Sequence, residues 1–128
     1  MSPDTQHALQ QATRLYLTTY NRHGKSGTVP IWFFLHDGAM YFCTLRTSLK
    51  ARRIQQTGRA TVHIGGRHGP RLDCTAVILA PTPDLQALLL RTYRRRYRWR
   101  WLFIGPRLRR AFASGDEIIV QLLPQTAG

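Results

Sequence analysis

Acidic side chains are scarce in this sequence: six Asp and Glu stand against nineteen Lys and Arg, a net charge of +13 over 128 residues. Such a balance excludes a neutral, indifferent surface and implies attraction to anions, whether nucleic acid, an acidic membrane or a polyanionic small molecule. Cysteine is almost as rare. Cys43 and Cys74 each lie in an apolar, strand-like run, match no zinc spacing and have no flanking His pair. A metal site is therefore not expected, and free buried thiols are the default. The five histidines are scattered over turns and strand ends. No apolar run approaches the roughly 20 residues that cross a bilayer. The first ten residues lack the basic start and apolar middle of a signal peptide, so a cytoplasmic protein is expected.

What the chain does have is one domain's worth of length, residues 1–128, with 43% hydrophobic residues. The positive charge is concentrated late: Arg91, Arg94, Arg95, Arg96, Arg98, Arg100, Arg107, Arg109 and Arg110 fall in one segment. A short helix is expected after Pro3, then a strand over Arg14–Tyr20 rich in β-branched and aromatic residues. Asn21 to Gly24 form a turn. One long strand, Ser26–Leu35, follows, with an edge or bulge at Pro30. His36-Asp37-Gly38 then leads into a strand over residues 39–44, completing an antiparallel meander. Thr47 or Ser48 caps a helix that Gly58 ends. Strands follow over Ala60–Ile64 and Leu72–Leu79, with a loop over Gly65–Pro70 between them. A helix opens at Thr82-Pro83 and breaks at Gly105-Pro106, and Ile118–Leu122 closes the sheet. The expected class is mainly β (α+β): a six-stranded antiparallel split β-barrel with flanking helices.

The segment Thr44-Leu-Arg-Thr-Ser-Leu-Lys50 carries the most chemistry. A strand ends there and a helix begins, leaving unsatisfied backbone N–H groups at the positive end of the helix dipole. Ser48 adds a hydroxyl, Lys50 a mobile point charge, and Arg53 one turn later a second cation. That set suits a single phosphate, although Ser-x-Lys alone reads first as a capped surface helix with solvated Lys and Arg and only second as an anion site.

The order of these pieces resembles the opening of pyridoxamine-phosphate oxidase-like split barrels. The matching runs are Leu17-Thr-Thr-Tyr20, Gly24, Thr28-Val-Pro-Ile-Trp-Phe33, Asp37-Gly38, Thr44, Ser48-Leu-Lys-Ala-Arg-Arg-Ile54 and Ala60-Thr-Val62. The likeness covers Leu15 to Leu79 and is nearest to the small actinobacterial branch assigned to the deazaflavin coenzyme (F-420). It implies a homodimer with cofactor sites between subunits. Thr44, Ser48 and Lys50, in the run that also holds Leu49 and Arg53, would hold the cofactor phosphate. Val29, Pro30, Ile31 and Trp32 would lie against the flavin ring and ribityl chain. Many relatives carry an acidic residue and Gly-Arg where this chain has Asp73-Cys-Thr-Ala76, which bears on substrate choice.

The implied activity is hydride transfer between a deazaflavin or FMN and a small organic acceptor. The cofactor performs that chemistry, so no triad or carboxylate pair is required. The alternatives are a flavin- or haem-binding barrel without turnover, and a basic nucleic-acid-binding protein. The late arginines read first as a solvated helix face, second as a rim for an anionic cofactor tail, and third as a nucleic-acid contact. A dimer is expected on a second ground, that Trp32, Phe33, Phe34 and Trp99 offer more apolar surface than one small barrel covers.

Overall fold

A computed structural model describes residues 2–125. Helix α1 (Pro3–Gln11) is capped by Ser2, whose hydroxyl accepts from the Thr5 N–H. Strand β1 (Leu15–Tyr20) buries Leu15, Leu17 and Thr19 and turns Tyr16, Thr18 and Tyr20 partly outward, the period-two pattern of a half-buried strand. It sits between β2 (Ser26–Ile31) and β5 (Arg59–Ile64). Strands β6 (Arg71–Leu79), β7 (Glu117–Pro124), β4 (Ala39–Leu45) and β3 (Phe34–His36) continue the sheet. The order is β2-β1-β5-β6-β7-β4-β3, antiparallel throughout.

Two cores flank this sheet. Leu15, Leu17, Phe33, Met40, Phe42, Val62, Val120 and Leu122 fill the inner one, with Ala51 and Ile54 of α2 (Leu49–Thr57) and Leu9 of α1. The outer one gathers Phe34, Tyr41 and Ile119 against α3 (Pro83–Arg96) and α4 (Arg98–Ser114) through Leu89, Tyr93, Tyr97, Trp101 and Phe112. Capping follows local chemistry. Ser48 accepts from the Ala51 N–H, Thr82 accepts from the Leu85 N–H, and Gly58 ends α2 at φ +64°, a conformation glycine adopts freely.

The sheet has seven strands because the expected run Ser26–Leu35 is divided. Trp32 and Phe33 belong to neither half, so β2 pairs with β1 and β3 pairs with β4, and the continuous meander is interrupted. Their backbone groups are taken by tyrosines. The Phe33 N–H donates to Tyr97 Oη (3.1 Å), and Tyr93 Oη donates to the Trp32 carbonyl (3.0 Å). The second correction concerns Gly105-Pro106, where no break occurs and α4 passes straight through. A Cβ at Gly105 would lie 2.6 Å from Trp101 Cε2, so the glycine is the seat of the Trp101 ring. The helix axis changes instead at Tyr97 (φ −118°, ψ 39°). There the side chain reaches back to bond the Thr13 carbonyl (2.6 Å) as well as Phe33.

The apolar surface expected to drive dimerisation is largely covered within the chain. Phe33 and Phe34 are fully buried in opposite cores, and Trp32 stacks on Tyr97 with ring centroids 4.0 Å apart. Of the four residues only Trp99 is exposed. No helix among the described residues is long and apolar enough to cross a membrane.

Candidate functional site

The start of α2 is built by two hydroxyls. Thr44 Oγ1, at the end of β4, donates to Ser48 Oγ (3.0 Å), and the same Ser48 oxygen accepts from the Ala51 N–H (3.1 Å). Thr44 is buried and its hydroxyl proton is committed to this contact, whereas Ser48 retains its own hydroxyl proton for another acceptor.

From the first turn of the helix onward, Leu49, Lys50 and Arg53 face Thr19 of β1 and Gly27, Thr28 and Val29 of β2 across a hollow of about 220 Å³. Arg53 is the unusual member. It is 8% exposed, and among the described residues no carboxylate lies within ion-pair distance and its Nε has no hydrogen-bond partner. A Cβ on Gly27 would lie 2.8 Å from Arg53 Nη1, so the absence of a side chain there is what lets the guanidinium lie against β2. Burying a charge without a partner is costly, and such a group is retained where a ligand completes it. An anion set between Lys50 and Arg53 would satisfy both cations; Ser48, which precedes them at the helix start, does not line this hollow.

Arg53 and Leu49 also border a second hollow of about 380 Å³, with Asn21, Arg22, His23, Arg52 and Gln56, and no acidic residue lines either space. Further along β2, Pro30, Ile31 and Trp32 line a separate hollow of about 280 Å³ with Arg14 and Arg100. The sequence-derived set thus falls into three groups. Val29, Leu49, Lys50 and Arg53 surround one cavity, Pro30, Ile31 and Trp32 another, and Thr44 and Ser48 form the helix start. Sequence reasoning missed Thr19, Gly27, Thr28, Arg14 and Arg100. Gly27 left a readable signal, since a glycine inside a strand marks a close approach of another group.

One acidic side chain lies near this cationic region. Glu117 is buried, and burial pushes its carboxyl above the ordinary glutamate value, opposed by a hydrogen bond from the Cys43 thiol and by the Lys50 charge. Burial and the Glu117 carboxylate together hold the Cys43 thiol well up, and burial pushes Cys74 up to about 12, so neither thiol is reactive. A carboxyl whose folded pKa is raised gives its full stabilisation below the unfolded value and loses it as pH rises through the folded one. Glu117→Gln should therefore melt higher than wild type near neutrality, and the gap should shrink as pH falls towards about 4. Melting curves at a series of pH values test this, and a gap independent of pH would mean that Glu117 titrates in the fold as it does in the unfolded chain.

The family model for pyridoxamine 5'-phosphate oxidase matches residues 1–120. The chain belongs to that family. Solved structures agree with this family fold. The haem storage protein HutZ of Vibrio cholerae superposes with a TM-score of 0.73 at 13% identity, covering 98% of this chain and 91% of that one. A putative pyridoxamine 5'-phosphate oxidase of Listeria innocua gives 0.67 at 11% identity, over 96% and 92%. An F420 reductase gives 0.63 at 15% identity, over 94% and 93%. At these identities the likeness is one of fold, the split barrel, and it does not extend to a shared ligand. No curated protein matches by sequence.

Proposed function

We propose that this member of the pyridoxamine 5'-phosphate oxidase family is a homodimeric cytoplasmic oxidoreductase. It would move a hydride between the deazaflavin coenzyme F-420, or FMN in its place, and a small organic acceptor. The observation that carries this reading is the buried, unpartnered Arg53 facing the same hollow as Lys50. A lone phosphate is the group that such a pair would hold, and both cofactors present one. When bound, the ring system supplies hydride-carrying capacity.

The chain's own residues bind and orient. Lys50 and Arg53 would neutralise the phosphate. Gly27 lets β2 lie close to the guanidinium, and Val29 and Leu49 supply the apolar part of the cavity lining. Pro30, Ile31 and Trp32 would flank the ring and ribityl chain, with Trp32 held at a fixed angle by its stack on Tyr97. Arg14 and Arg100, which share the hollow of Pro30, Ile31 and Trp32, favour the more anionic coenzyme, whose tail carries carboxylates that FMN lacks.

Titrating both cofactors into the purified protein at low and high salt tests the reading. Deazaflavin should bind more tightly, and its affinity should fall more steeply with salt, because exposed charges are screened over about 10 Å at 0.1 M. A yellow, stoichiometric flavin that copurifies would replace F-420 by FMN. A Soret band on adding haem, with neither flavin nor deazaflavin bound, would make the protein a haem-handling barrel without turnover.

A further inference from the structure

Among the described residues the most exposed large apolar side chains sit together on α4: Trp99 (81%), Phe103 (76%) and Leu102 (70%). With exposed Pro106 they occupy positions i, i+3, i+4 and i+7, one continuous stripe of a helix. The opposite side of the same helix, through Trp101, Gly105 and Phe112, is already buried against the sheet. The outward stripe is therefore not the core-facing side of α4 but a second apolar face, open to solvent.

Arginine borders this stripe on both edges. Helical spacing sets Arg98 and Arg109 beside Leu102, and Arg100 and Arg107 beside Phe103, all of them exposed. Arg110 continues the stripe at its C-terminal end. No Asp or Glu occurs between Asp84, in the first turn of α3, and Asp116, so nothing in α4 itself neutralises this charge.

We propose that the outward face of α4 is a docking surface for an anionic lipid bilayer. Trp99, Leu102 and Phe103 would enter the headgroup–acyl boundary while the flanking arginines reach lipid phosphates. A Trp/Leu/Phe crest with cationic edges and no acid is the make-up of a helix that lies in the interface plane. A second copy of this chain fits the face poorly, because two-fold pairing would set its arginine borders against their own image. Nucleic acid would use only the rings of Trp99 and Phe103, and would leave Leu102 and Pro106 in water, where an acyl phase covers all four. The proposal is independent of what the Lys50–Arg53 hollow binds.

Co-sedimentation of the full chain with vesicles tests it. The protein should pellet with mixed phosphatidylcholine–phosphatidylglycerol vesicles and remain in solution with phosphatidylcholine alone, with partitioning reduced at high salt. Leu102→Ser combined with Phe103→Ser should lower partitioning about tenfold or more at an unchanged melting temperature, since both side chains are solvated in the free protein. Lipids brominated on the acyl chain should quench wild-type tryptophan fluorescence, and Trp99→Phe should remove that quenching while keeping the binding. The proposal is overturned by failure to bind the anionic vesicles, or by full partitioning of the double-serine variant. It is equally overturned if that variant loses a dimer or its affinity for a single-stranded oligonucleotide while lipid binding is retained.

Discussion

Replacing Arg53 with Met should raise the melting temperature of the cofactor-free protein and, in the same variant, weaken binding of a phosphate-bearing cofactor about 10- to 100-fold. The affinity loss follows from the removal of one charge-assisted contact, worth about 1.5–3 kcal/mol. The stability gain has a separate cause. In the free protein the Arg53 residue is almost fully buried, its Nε is unpartnered and no carboxylate among the described residues lies within ion-pair distance. An orphaned buried donor costs about 1–3 kcal/mol, and a methionine of similar length keeps the packing while removing that cost. A gain of about 1 kcal/mol shifts a chain of this size by roughly 3–6 °C. Lys50 provides the contrast, being only partly buried. Lys50→Ala should cut the same affinity by a similar factor with no rise in melting temperature. Differential scanning fluorimetry with and without cofactor, together with titration, separates the two effects. If Arg53→Met melts lower and binds the cofactor as wild type does, Arg53 is a structural residue and the phosphate lies elsewhere.

The same residue shows what could be read from the sequence and what could not. Its place one turn after a capped helix start is local information, and so are the caps themselves: Ser48, Gly58 and Thr82 act within four residues of their partners. The strand alternation of β1 and the order of the family's runs are similarly local, which is why the fold was legible. The burial of Arg53 was not, because it depends on Gly27 bringing a different strand against the guanidinium. The division of the second strand was hidden for the same reason. Trp32 and Phe33 leave the sheet because Tyr93 and Tyr97, some sixty residues later, take their backbone groups. Gly105-Pro106 carried a strong local breaking signal that tertiary packing overrode, since the glycine accommodates Trp101 and the helix turns at Tyr97 instead. Phe33 and Phe34 looked like surplus apolar surface only because neither core is visible along the chain.

Tyr97 should prove to be the side chain on which the fold and the proposed ring site depend most. Its hydroxyl donates to the Thr13 carbonyl and accepts from the Phe33 N–H, tying the segment after α1 and the β2–β3 break to the junction of α3 and α4. Burial holds its phenol above the ordinary tyrosine value, so it remains a donor throughout the neutral range. Tyr97→Phe keeps the ring and its stack on Trp32 but leaves a buried N–H and a carbonyl without their partner, which should cost about 1–3 kcal/mol. Tyr97→Ala adds the loss of the ring, about 3–5 kcal/mol for an aromatic side chain in a core. Set against a total stability of about 5–15 kcal/mol, the alanine variant should be largely unfolded or barely soluble. The phenylalanine variant should fold, melt several degrees lower, and show a changed Trp32 environment in near-UV circular dichroism. Chemical denaturation of the two variants checks the order of effects. Equal, small losses in both would mean that neither the hydroxyl nor the Trp32 stack holds the break in β2–β3. Trp32 would then need another support if it is to flank a cofactor ring.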